Sequence, residues 1–278
     1  MSRPGTSTAP LPVGPTLLPG TPSTPVVAFA NQKGGVGKTT SAVNAAVSLS
    51  RRGHRVLLVD IDPQGNATSS LGVDKAGLAA SVYEMLVEDA PLAEAVVAEA
   101  RPLLDLLPAT ARLAGAEIEL VDLPQREHRL RRALAPAVDE HDVVIIDCPP
   151  SLGLLTVNAL TASHGVLIPL ACEYFALRGV ALLVETIDKV RDRLNPALEL
   201  DGILATMYDP RTLHAREVLE RVVDTFGDQV FDTVIGRTVK LPDAQIAAKS
   251  VLEYAPSNAA SEADLKLARE LVQRGVVA

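Results

Sequence analysis

Asn31-Gln32-Lys33-Gly34-Gly35-Val36-Gly37-Lys38-Thr39-Thr40 is a glycine-rich turn set between an apolar run and a helical one. Before it, Val26-Val27-Ala28-Phe29-Ala30 is short, β-branched and aromatic, and bounded by Pro25. Such a run is too brief for a helix and suits a strand. After it, Val43, Ala46, Val47 and Ser50 recur at helical spacing between Ser41 and Arg52. Strand, loop and helix in that order are what a phosphate-binding turn requires. A triphosphate needs several donors converging on anionic oxygens, and glycines let consecutive backbone N–H groups approach them at a helix N-terminus. Gly34, Gly35, Val36, Gly37, Lys38, Thr39 and Thr40 are therefore the expected cradle. Lys38 would bring a point charge to the β/γ-phosphates and the Thr39 hydroxyl a ligand for Mg2+, so ATP and Mg2+ are the expected cofactors.

One departure from the common G-x-x-x-x-G-K-[ST] pattern is informative. Its first glycine would fall at Gln32, and Lys33 follows, so two lysines bracket the glycines. The stretch resembles the deviant Walker A motif, K-G-G-x-G-K-[ST], of the ParA/MinD class of P-loop ATPases. The resemblance implies that Lys33 reaches across a dimer interface to the phosphates bound by the partner subunit, and so implies a homodimer.

Length and composition set the frame. A chain of 278 residues with 47% apolar content can bury a large core. It contains no run of about 18 apolar residues and no basic-then-apolar leader, so neither a membrane span nor a signal peptide is expected and a cytoplasmic location is. Cys148 and Cys172 are too few and too far apart for a disulfide framework and read as small buried residues. The formal net charge of −8 weighs against nucleic acid as a partner only as a whole-molecule average, which leaves room for a local basic face.

Residues 1–25 hold seven of the twenty prolines and a single charge, Arg3, and are expected to be a disordered tail. Residues 26–278 are expected to form one domain. Apolar runs ending at Asp60, Asp147, Leu170 and Met207 read as buried parallel strands, with weaker candidates at 103–107 and 230–235. Helices are expected at 81–88, 91–99, 125–138, 153–162, 176–194, 212–226 and 259–274. This alternation predicts an α/β fold, a doubly wound, mostly parallel sheet with helices on both faces.

In such a sheet ligands sit beyond the carboxyl ends of the strands. Two strands end in aspartates there. Asp60-Ile61-Asp62-Pro63-Gln64-Gly65-Asn66 resembles the D-x-D-P-Q-G-N stretch of ParA-type ATPases. That likeness implies Asp62 as the residue positioning the attacking water, with Asp60 near Mg2+. Ile145-Ile146-Asp147-Cys148-Pro149-Pro150-Ser151 has a Walker B pattern, with Asp147 reaching Mg2+ through its water shell. Lys33, Lys38 and Asp62 are thus the expected catalytic residues, and Thr39, Asp60, Asp62 and Asp147 the expected metal residues. No histidine pair shows metal-ligand spacing.

With Asn158-Ala159-Leu160 and Thr206-Met207-Tyr208-Asp209 downstream, the resemblance extends from Val26 to the C-terminus. It points to the chromosomal ParA, or Soj, family in its short form. The family implies an ATP-dependent sandwich dimer, sequence-tolerant DNA binding on the nucleoid, and hydrolysis stimulated by a ParB-type centromere-binding protein. Residue by residue, its DNA contacts fall on Arg211, Arg237 and Lys240, with Arg216 and Lys249 extending the face. The family usually has arginine where Lys240 stands, and Gln245-Ile246-Ala247-Ala248 replaces its Ala-Pro-Ser-rich turn. The alternative is a MinD-like membrane-cycling ATPase with the same motor, which ends in a basic amphipathic helix. Here Leu265 to Arg274 reads as a packing helix.

Overall fold

Eight strands join in one sheet in the computed structural model, which describes residues 24–173 and 176–277. They are β1 (Val26–Phe29), β2 (Val56–Asp60), β3 (Val97–Arg101), β4 (Leu104–Leu107), β5 (Val143–Asp147), β6 (Gly165–Ala171), β7 (Glu199–Tyr208) and β8 (Val230–Gly236). Their order is β3-β4-β2-β5-β1-β6-β7-β8, parallel throughout except for the β3/β4 pair. The chain leaves β1 toward β2 on one side and returns to β6 on the other, so the order reverses at β1. A crevice opens at such a switch point, beyond the strand ends. The tail expected at 1–25 lies almost wholly outside the described residues.

Alternation along the central strands creates two cores, because successive side chains point to opposite faces. Val26 and Ala28, Leu57 and Val59, Val144 and Ile146 face one cluster, which Leu86, Leu113, Leu160 and Leu183 complete. Val27 and Phe29, Val56 and Leu58, Val143 and Ile145 face the other, with Val43, Val47, Leu267 and Leu271. The helix Lys38–Ser50 is thereby wedged between sheet and C-terminal helix, which explains why eleven of its thirteen residues are buried. A phosphate loop anchored to so buried a helix is fixed in position.

Two of the expected helices are broken in the structure. Residues 91–99 do not form one helix: a short helix Leu92–Ala95 stops, and β3 begins at Val97. The open edge of β4 offers backbone partners that outweigh local helix propensity, and Leu103 makes the reversal with φ of 59°. Residues 125–138 are also broken, into a 3₁₀ turn Arg126–His128 and helices Arg129–Ala133 and Ala137–Glu140. Pro136 cannot donate within a helix, and it begins the second piece instead. The expected helices at 81–88, 153–162, 176–194, 212–226 and 259–274 are found to within about one residue at each end. Helices Asn66–Ser70, Leu113–Glu119, Lys240–Ile246 and Val251–Tyr254 were not expected.

At the opposite end of the sheet from the crevice, Asp201 encloses an unpartnered Oδ2 although the residue as a whole is only half-buried. Burial first, and the charge of Glu199 second, push its carboxyl from 3.8 to about 7. The folded state therefore binds a proton that the unfolded chain releases near pH 4. The stability linked to that proton is lost as pH rises through 7. Asp201→Asn should raise the melting temperature more at pH 8 than at pH 5, read by thermal circular dichroism; equal changes at the two pH values would contradict this assignment.

Candidate nucleotide-binding site

The glycine turn links β1 to the helix Lys38–Ser50, in the strand–loop–helix order read from the sequence. Gly35 and Gly37 have φ of 73° and 84°, a backbone region that side chains with a Cβ rarely adopt, and Gly37 caps the helix Lys38–Ser50. The loop is fastened from three sides. Asn31 donates from Nδ2 to the Pro169 carbonyl at 2.7 Å and accepts from the Lys33 N–H at 3.0 Å. The Lys38 ammonium donates to the Lys33 carbonyl at 3.3 Å. From the end of β7, the Thr206 hydroxyl donates to the Val36 carbonyl at 2.8 Å. Thr206 entered the sequence reading only as part of a stretch; its role in holding the loop needed the β6/β7 pairing to become visible.

Beside the loop lies a cavity of about 840 Å³, lined among others by Lys38, Thr39, Asp62, Thr206 and Arg237. Met207, Ile235, Val239, Leu241 and Pro242 add apolar side chains to the same lining, alongside Thr238 and Gln245. A lining of both polar and apolar groups suits a ligand with a phosphate tail and a flat base. Met207 sits there with φ of 51°, a left-handed conformation unusual for a non-glycine residue and found preferentially at functional sites.

The aspartates are brought together as expected, but into distinct situations. Asp60 and Asp147 are register neighbours at the ends of β2 and β5, both fully buried. Asp60 is already engaged: its Oδ2 accepts from the Thr68 N–H at 2.8 Å and hydroxyl at 2.7 Å, and its Oδ1 from the Asp62 N–H at 3.2 Å. It ties down the loop that carries Asp62, and burial raises its carboxyl to about 6. Asp147 has no hydrogen-bond partner in good geometry at either oxygen. Burial and the Asp60 charge hold its carboxyl well above the usual range, with the Thr39 side chain and Lys38 pulling the other way. Asp62 lines the cavity, its Oδ1 accepting from the Gln64 N–H at 2.9 Å. Lys38 is 6% exposed, and burial lowers its pKa against the raising effects of Asp147, Cys148 and Asp62.

A fully buried carboxyl group beside the Thr39 side chain, which itself lines the cavity, fits a hard cation held by oxygen ligands. Among the described residues no group of three or more His, Cys, Asp or Glu could hold a metal by itself. That suits Mg2+, which commonly takes one or two carboxylates and draws its other ligands from phosphates and water.

The two lysines are placed differently. Lys38 faces the cavity, whereas the side chain of Lys33 is 42% exposed and bonded at 2.5 Å to Glu173. Of the expected DNA contacts, Arg211 and Arg237 follow the paired ends of β7 and β8, where Tyr208 pairs with Gly236 and accepts from the Arg237 N–H. Arg211 is 87% exposed and forms a two-pronged pair with Asp209, which holds that carboxyl down at about 2. Lys240 opens the helix Lys240–Ile246 and sits over the Tyr254 ring at 5.9 Å. Arg237 also lines the nucleotide cavity, which the sequence did not reveal. Asn158, noted in sequence, is a buried brace, accepting from the Leu130 N–H and donating to the Arg126 and Leu154 carbonyls.

A switch-point crevice closed by a glycine loop, with a buried lysine and an unpaired strand-end aspartate, defines a P-loop nucleoside triphosphatase. The AAA domain family matches residues 24–200. The chain is 50% identical over 250 residues to the sporulation initiation inhibitor protein Soj of Bacillus subtilis, covering 90% of this chain and 99% of Soj. To the chromosome partitioning protein ParA of Myxococcus xanthus it is 48% identical over 249 residues, covering 90% and 88%. It is also similar to a crystal structure of cobyrinic acid a,c-diamide synthase from Mycobacterium smegmatis with bound ATP analog and magnesium, at a TM-score of 0.81 and 43% identity, covering 91% and 95%. The chain belongs to the ParA/Soj family of partition ATPases.

Proposed function

We propose that the chain binds ATP with Mg2+, closes on it as a homodimer, holds DNA without sequence preference in that state, and hydrolyses the nucleotide slowly to ADP and phosphate. A ParB-type protein would stimulate hydrolysis, and the cycle would segregate DNA on the nucleoid. The observation that carries this reading is the phosphate cavity lined by the buried Lys38 together with Thr39 and Asp62, with the charge of the fully buried Asp147 acting on Lys38. Lys38 and the loop N–H groups bind the phosphates, and Asp62 orients the attacking water. Thr39 and Asp147 would hold the Mg2+ ion, which would supply positive charge against the phosphate oxygens. Asp60 serves this arrangement indirectly, by fixing the Asp62 loop.

Two other readings find less support. A lipid-cycling protein would present a free amphipathic C-terminal helix, but Ala259–Gln273 buries Leu267, Ala268 and Leu271 against the core. Among the described residues, no helix is long and apolar enough to cross a membrane. Amide synthesis, which the mycobacterial neighbour's name suggests, would profit from a reactive thiol. Burial pushes the Cys148 thiol up, and that of Cys172 to about 11.

DNA binding is tested on the two basic candidates outside the cavity. Arg211→Glu with Lys240→Glu, assayed by DNA retention with ATP, ADP and no nucleotide at two salt concentrations, should weaken binding in ATP by about tenfold or more at low salt. It should also flatten the salt dependence, because a dimer loses four phosphate contacts at once. ATP-dependent retention equal to that of the parent at both salts would remove this face.

A further inference from the structure

We propose that Glu173 stores Lys33 within the single chain, as a counter-ion that must let go before the lysine can serve a second subunit's nucleotide. The inference deepens the homodimer reading above and rests on it. The backbone of Lys33 is pinned on both sides: its N–H donates to Asn31, and its carbonyl accepts from Lys38. Only the side chain can move. It does not line its own chain's phosphate cavity, and it ends on Glu173 Oε2 at 2.5 Å. Glu173 is set just past β6, where its N–H turns back to the Ala171 carbonyl at 2.7 Å.

Both partners are about half exposed, at 42% and 51%, so a second copy could reach them. The bond to Lys33 first, and the charge of Arg237 further off, hold the Glu173 carboxyl below its usual range. Arg237 acts in the same way on Asp209, which grips Arg211. Alternating charges thus run from Lys33 through Glu173, Arg237 and Asp209 to Arg211.

The pair is too exposed to contribute much to folding, but it makes dimerisation conditional. Without phosphates opposite, Lys33 exchanges one carboxylate for water and gains nothing. With a triphosphate opposite, it exchanges one negative charge for several. Closing the dimer opens the pair in both subunits.

The experiment uses the full chain carrying Asp62→Ala to block hydrolysis, with sedimentation velocity across an ATP–Mg2+ titration. Adding Glu173→Gln should lower the ATP concentration for half-maximal dimer by about two- to fivefold, the value of one exposed ion pair. The difference should shrink at high salt. Glu173→Asp, which restores the charge, should return the midpoint toward the parent. Circular dichroism verifies that each variant is folded. A midpoint unchanged or raised by Glu173→Gln overturns the proposal, as does Glu173→Asp behaving like Gln. If the Asp62→Ala parent stays a single chain at saturating ATP, the homodimer reading itself fails and the storage role with it.

Discussion

Lys38→Ala should weaken ATP binding by about 10²–10³-fold, the range expected when one member of a buried charge pair is removed. Two losses add. The phosphates lose the lysine that lines the cavity, and Asp147 loses the cation that offsets its burial. The alanine variant keeps the loop geometry set by Asn31 and Thr206, although it gives up the bond from Lys38 to the Lys33 carbonyl. Titration with a fluorescent ATP analogue, alongside a melting curve to confirm folding, measures the effect. A dissociation constant within about threefold of the parent would mean that the cavity is not a phosphate site.

Asp62→Ala should leave ATP bound and slow turnover by about 10²-fold, the lower end of what a positioned carboxylate contributes to proton transfer or water orientation. Removing it also deprives the Gln64 N–H of its acceptor, so the loop could shift for reasons unrelated to chemistry. Asp62→Asn separates the two, since an amide oxygen can still accept that bond while the charge is gone. Both variants should release phosphate slowly and accumulate as nucleotide-bound dimers in the ultracentrifuge. If the asparagine variant turned over at the parental rate, orientation of water by the Asp62 carboxylate would be ruled out.

Much of the central sheet was legible because each strand buried on both faces is written as a continuous apolar run, as in Val143-Val144-Ile145-Ile146. The edge was not. Val97–Arg101 is half-exposed and lacks such a run, and it became a strand only because β4 offered an unpaired edge. The helix Lys240–Ile246, which supplies Leu241 and Pro242 to the lining of the cavity, was missed for a related reason. Its buried apolar face is only Leu241 and Ala244, one turn apart, too short a stripe for a helical period to show.

The sequence alone determined the phosphate loop, the aspartates at the ends of β2 and β5, and the two lysines bracketing the glycines, because contiguous residues carry that chemistry. Tertiary structure alone decided which carboxylate is free and which is spoken for, that Thr206 braces the loop, that Arg237 borders the nucleotide cavity, and that Glu173 holds Lys33. Those facts depend on contacts between residues as far apart as 170 positions. The strand order brings such residues together, and no local pattern encodes it.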